Sequence, residues 1–248
     1  MRSHHLRVGP VGCIAFLAFV CVPASGAAQS VSVTGRLVPN IEVAPGNTNA
    51  DYSKAVVWLT PTDADTARVG PTPGHFEILQ EDKQFLPRVQ ALPVGSTVDF
   101  PNLDPFFHNV FSLFEGKRFD LGLYEAGTSR SAQFDRPGIS YIFCNIHPDM
   151  VAVIVAVETD LFGLTDTSGR FRIDGVPAGD YQLHVWHERM QPEGDAGDAE
   201  VISVGRSDVT TPPVKMETND RVLEDHTNKF GLEYESPTTS GVPYLGPR

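Results

Sequence analysis

Short apolar or alternating runs recur along this chain, separated by Gly, Pro and Asp, while the three-to-four-residue spacing of an amphipathic helix is scarce. The runs occupy residues 31–37, 54–59, 74–79, 88–92, 97–100, 109–111, 131–134, 138–143, 151–157, 169–173 and 180–186. Successive side chains of a strand point to opposite faces, so this rhythm predicts strands packed as a β-sandwich or Greek-key barrel. The expected fold class is all-β. The run VAVIVAV at 151–157 is the longest apolar stretch after the first thirty residues and predicts a buried strand rather than a membrane span.

Two stretches break the rhythm. Residues 60–73 (TPTDADTARVGPTP) read as a linker, and residues 217–248, ending GVPYLGPR, read as a flexible tail. At the other end, Arg2 and Arg7 precede an apolar run from 12 to 22, with small residues around Ala27 and Ala28. That order predicts a signal peptide over 1–28 and a mature chain exported to the periplasm or secreted, with no transmembrane segment.

Removal of that leader changes the cysteine count. Cys13 and Cys21 leave with it, and Cys144 remains as a lone thiol with no internal partner. A buried inert side chain is the commonest fate of a single cysteine, but in an oxidising compartment metal ligation is a second reason to keep one.

Residues 165–189 (TDTSGRFRIDGVPAGDYQLHVWHER) contain a Gly-centred hairpin at 166–169 and a second turn at 176–180. Phe171, Ile173, Tyr181, Leu183 and Val185 alternate as inward-facing positions. The segment resembles the carboxypeptidase regulatory-like domain, a small transthyretin-like sandwich, through its T-D-x-x-G-x-[FY] turn and P-x-G-x-Y. That resemblance implies that residues 29–62 supply the missing strands (SVTGRLV and AVVWLTP), with residues 158–216 completing the sandwich. The same early strands also fit as extensions of the neighbouring sheet.

Between these halves the chain carries Phe85, Pro87, Val94, Gly95, Val98, Phe100, Asn102 and Asp104, followed by His108. Later come Tyr141, Phe143, Cys144, His147 and Met150. Over residues 74–157 this order resembles the cupredoxins, of the plastocyanin and amicyanin kind, and the Cys-x2-His-x2-Met spacing resembles the short ligand loop of amicyanin. The resemblance implies one mononuclear type 1 copper ion on His108, Cys144, His147 and Met150. It also implies that Asn109 ties the two ligand segments together from behind, and that partners dock around an exposed His147.

The donor chemistry agrees. Two imidazoles, a thiolate and a thioether suit copper better than magnesium or calcium, and three strong donors with a weak axial sulfur suit electron transfer. Zinc shares the Cys and His preference, although Met serves it poorly. A Cys144 nucleophile with His147 as base lacks a third orienting group. Phe143 and Asn145 flank Cys144, so no histidine beside it leads to a second copper centre.

Phe106 and Phe107 suit either the core or the rim of the site. His184 and His187 suit packing or surface roles, and His75 and His226 solvent.

The chain has 19 basic and 31 acidic residues, a net charge of −12. Without Arg2 and Arg7 the basic count is 17 and the net charge −14, which argues against nucleic acid as a partner. The function expected is that of an exported electron carrier, not an enzyme, serving a redox partner protein such as a cytochrome, oxidase or dehydrogenase. The alternative is a periplasmic copper-holding or envelope interaction module.

Overall fold

The computed structural model describes residues 31–39, 53–63, 70–113, 116–189, 200–216 and 227–234. The expected signal peptide lies outside these residues, as do 64–69 of the expected linker and 217–226 and 235–248 of the expected tail. The described residues form strands and no helix, so the all-β expectation holds. None of their structure is a helix long and apolar enough to cross a membrane.

The strands fall in three groups along the chain. β1 (Val31–Pro39) and β2 (Val56–Pro61) come first. The central group is β3 (His75–Glu77), β4 (Leu79–Glu81), β5 (Gln84–Leu86), β6 (Val89–Pro93), β7 (Thr97–Pro101), β8 (His108–Ser112), β9 (Phe119–Tyr124), β10 (Ser129–Gln133), β11 (Gly138–Phe143) and β12 (Val151–Val157). The last group is β13 (Phe162–Leu164), β14 (Arg170–Val176), β15 (Gly179–Trp186), β16 (Val201–Val204), β17 (Val209–Thr210) and β18 (Val214–Met216).

The central strands make a sheet in the order β6-β12-β11-β8-β9, faced by β10-β7-β3 and the β4-β5 hairpin. Val98, Phe100, Phe134, Ile142, Ala152 and Ile154 are among the side chains that fill the space between them, and Cys144 and Met150 belong to the same cluster. Cys144 and Met150, at the two ends of the loop between β11 and β12, are therefore anchored in a packed core.

The first and last groups interleave. β1 pairs antiparallel with β14 and parallel with β17 and β18, while β2 lies between β13 and β15, with β16 outside β15. Val33, Leu37, Leu59, Phe171, Tyr181 and Leu183 are in the core between these two sheets. Gly35 is required where β1 crosses Phe171, because a Cβ there would run into the Phe171 ring and Thr211 Oγ1.

The turn at 166–169 differs from the hairpin expected. Gly169 N–H donates to Asp166 O at 2.9 Å, closing a tight turn, but β13 pairs with β2 and β14 with β1. The turn at 176–180 likewise passes from β14 to β15, in the facing sheet. Phe171 and Ile173 thus point inward from one sheet and Tyr181, Leu183 and Val185 from the other, so the alternation is right and the pairing is not. The expected linker also begins too early, since Thr60 and Pro61 belong to β2 and pair with Gln182 and Tyr181.

β12 joins the two halves. Its Ala152, Ile154 and Ala156 face the donor-bearing core, while Val153, Val155 and Val157 pack with Val56, Val89 and Trp186. Burial on both faces is why its sequence is apolar at every position.

Candidate metal centre

His108 opens β8 and Cys144 follows the last residue of β11, and the pairing of Phe143 with Phe111 brings those strands side by side. From Cys144 the chain turns tightly. Met150 N–H donates to His147 O at 3.2 Å and Cys144 N–H to Met150 O at 3.2 Å, so the loop closes on itself just before β12.

Three donor atoms converge as a result. Cys144 Sγ lies 3.8 Å from His108 Nδ1 and 3.6 Å from His147 Nδ1, and the two nitrogens are 3.1 Å apart. A point equidistant from the corners of that triangle lies about 2.0 Å from each, close to the roughly 2.0–2.3 Å that first-row ions keep from imidazole nitrogen and thiolate sulfur. The residues fit a single metal ion. Among the described residues no other His, Cys, Asp and Glu side chains gather in this way.

His108 is oriented from behind. Its Nε2–H donates to Asp104 Oδ2 at 2.7 Å, leaving the Nδ1 lone pair facing the other two donors. Asp104 is fixed in turn by Asp82 N–H on Oδ1 at 2.8 Å and Lys83 N–H on Oδ2 at 2.9 Å. Burial would raise the carboxyl pKa of Asp104, but those amides and the His108 ring outweigh it and lower it.

The two histidines are held in the state a metal ion needs. Burial lowers the pKa of His108 and brings that of His147 to about 4, helped by the charges of His108 and Lys83. Both rings are neutral near pH 7 and available as ligands. Burial pushes the Cys144 thiol up, while the backbone amides of Asn109, Ile146 and His147, directed at the sulfur, pull the other way and favour thiolate.

Met150 is completely buried beside Cys144 in the core. Asn109 contributes its amide at the sulfur, but its side chain does not reach the ligand loop. Asn109 Nδ2 donates instead to Asp120 Oδ1 at 2.8 Å, across a register shift between β8 and β9.

Phe106 stands at the rim, its ring edge-on to His108 (5.2 Å) and to His147 (5.7 Å), with Lys83 Nζ 5.6 Å from its centroid. Phe107 is half-buried. His184 stacks on Trp58 at 5.1 Å and has Nε2 2.7 Å from Thr60 Oγ1, and buried His187 accepts Arg189 N–H at 3.3 Å. His75 is exposed, and His226 is outside the described residues.

Asp104 and Lys83 went unassigned in the sequence. A carboxylate four residues before a candidate His ligand is a usable signal for the first, whereas Lys83 arrives because the turn of the β4-β5 hairpin packs on Asp104. The expectation for the tail also needs correction, because residues 227–234 pack against the ligand loop. Tyr234 Oη–H donates to Cys144 O at 2.9 Å, and Lys229 N–H donates to Asn145 Oδ1 at 3.0 Å.

No protein-family profile matches the chain. No curated protein matches its sequence. Among solved structures, a purple cupredoxin from Nitrosopumilus maritimus is 24% identical, over 33% of this chain and 98% of its own, with a TM-score of 0.30. A copper-containing nitrite reductase from Thermus scotoductus is 25% identical over 40% of this chain, with a TM-score of 0.33, and only 25% of its own length is spanned. A reduced amicyanin variant is 20% identical over 40% of this chain and 99% of its own, with a TM-score of 0.31.

Proposed function

We propose that this protein is an exported one-electron carrier holding one copper ion on His108, Cys144, His147 and Met150. The observation that carries the reading is the triangle of His108 Nδ1, Cys144 Sγ and His147 Nδ1, with edges of 3.8, 3.6 and 3.1 Å. Copper on two imidazoles, a thiolate and a weak thioether supplies one-electron transfer with little change of geometry.

The chain's own residues supply the rest. Asp104 fixes the His108 tautomer, the amides at Cys144 stabilise charge on its sulfur, and the buried core around Met150 excludes water. His147 is half-buried between Phe106 and the exposed Ile146, so its ring is the donor nearest a docked partner. The partner class is a redox protein such as a cytochrome, oxidase or dehydrogenase. The sandwich built from residues 29–62 and 158–216 serves as a docking or spacing module for the copper module of 74–157. Phe143 and Asn145 on either side of Cys144 favour a carrier over a two-centre copper enzyme.

Copper loading followed by visible spectroscopy and cyclic voltammetry tests this. The oxidised protein is expected to be intensely coloured, to lose that colour in Cys144→Ser, and to show a reversible couple. No copper uptake, a spectrum indifferent to Cys144→Ser or an irreversible couple defeats the reading. Ready surrender of copper to an acceptor would support the copper-holding alternative instead.

A further inference from the structure

The segment 227–234 is a built element. Asn228 accepts Phe230 N–H at 2.9 Å and Leu232 N–H at 3.1 Å on its Oδ1, and donates its own N–H to Leu232 O at 2.9 Å. Gly231 sits at φ +75, which favours glycine at this turn. The turn presents Lys229 and Tyr234 to the donor-bearing core from outside it.

Three contacts tie the segment to the site. Tyr234 Oη–H donates to the Cys144 carbonyl at 2.9 Å, Lys229 N–H to Asn145 Oδ1 at 3.0 Å, and Lys229 Nζ pairs with Asp120 Oδ2 at 2.7 Å. Asp120 also holds Asn109 Nδ2 through its other oxygen. The segment therefore grips the residue after His108, through Asp120, and the Cys144–Asn145 peptide directly.

We propose that residues 227–234 are a brace for the metal centre, with Tyr234 and Lys229 as positioning residues that hold the Cys144 loop closed and tune the electron density at its thiolate. The proposal rests on the copper-carrier reading for its electronic half. The loop's own closure is two backbone bonds of 3.2 Å, at Cys144 N–H and Met150 N–H, long for N–H···O. A phenol on the Cys144 carbonyl draws electron density out of the adjoining peptide. That favours the more electron-rich, reduced state of the site, so its removal lowers the reduction potential.

Tyr234→Phe removes one hydroxyl and keeps the ring, and Lys229→Met removes one charge and keeps the stem. In the copper-free protein, amide hydrogen exchange at Cys144 and Met150 is expected to speed up about fivefold in Tyr234→Phe and further in the double variant, as loss of a single hydrogen bond predicts. Leu232→Ala, at a side chain 64% exposed on the same segment, leaves exchange unchanged. In the copper-loaded protein Tyr234→Phe lowers the potential and shifts the visible bands. Wild-type exchange rates in both substituted proteins, or an unchanged potential and spectrum, overturn the proposal. A wild-type chain that takes up no copper defeats the carrier reading, and the copper-free exchange rates then decide whether the brace exists.

Discussion

Asp104 Oδ2 and His108 Nε2 are 2.7 Å apart, and both residues are buried. The carboxylate decides which nitrogen of the ring carries the proton, and so which one faces Cys144 and His147. It also caps the 82–83 turn, where Asp82 and Lys83 both have positive φ (52 and 57), a conformation that the two Asp104 hydrogen bonds help to hold.

Asp104→Ala frees the His108 ring to rotate and to change tautomer. Copper affinity is expected to fall roughly 10–100-fold, the usual cost of losing a hydrogen bond behind a metal-bound imidazole. Competition against a chelator of known affinity measures it. Asp104→Asn, which keeps an acceptor, is expected to fall between, and affinity equal to wild type in Asp104→Ala would show that the carboxylate does not orient the ligand.

The pH dependence of the metal-free protein follows from its two site histidines, His108 and His147, both with lowered pKa, and the share of His147 can be isolated. Its pKa lies at about 4 in the fold, against about 6.5 in an unfolded chain, because burial and the neighbouring His108 and Lys83 disfavour charge. Between those values the unfolded state binds more protons, so stability is fully present above about pH 6.5 and is lost as pH falls towards 4. Asp104 also has a lowered pKa, so its contribution is present above about pH 3.9 and is lost at more acid pH, outside the histidine window. Since His147 is partly solvated, the loss is on the order of 1–2 kcal/mol. Urea midpoints measured from pH 4.5 to 7.5 should climb in the wild type and climb less in His147→Phe. An equal climb in the two would assign the effect elsewhere.

The strand rhythm was legible because burial on one face leaves alternation in the sequence, as at Phe171 and Ile173, and burial on both faces leaves a run such as 151–157. What alternation does not carry is pairing. Whether the turn after Asp166 joins two strands of one sheet or passes between sheets depends on β1 and β2, more than a hundred residues away. β9 leaves no clear rhythm in the sequence for a local reason, since Gly122 at φ +70 and the register shift near Asn109 interrupt its alternation. The donors His108, Cys144 and His147 stood out by type and spacing. Lys83 and Tyr234 did not, because each reaches the site only through long-range packing.

Gly35 offers a test of how tightly the second sandwich is packed. A methyl group at Gly35 meets the Phe171 ring and Thr211 Oγ1 at once, and Phe171 is itself buried. Gly35→Ala is expected to destabilise by about 1–3 kcal/mol, the range for overpacking a filled core. Chemical denaturation reads the difference directly, and a neutral or stabilising result would mean that β1 and Phe171 can separate at little cost.

The two halves are expected to unfold together, because β12 serves both cores. Ile154 lies in the donor-bearing core while Val153 and Val155 pack on Trp186 from β15, and a strand cannot leave one core without leaving the other. Both tryptophans of the chain, Trp58 and Trp186, belong to this shared cluster, so their fluorescence reports its opening. In the copper-free protein that signal and the exposure of the Cys144 thiol should follow one urea transition. Trp186→Ala, expected to cost about 3–5 kcal/mol by truncating a buried aromatic, strips the shared layer without touching a donor. The fluorescence of Trp58 should then change at lower urea than the thiol becomes reactive. Two separate transitions in the wild type would show that the shared strand does not couple the halves, and that each half is stable without the other.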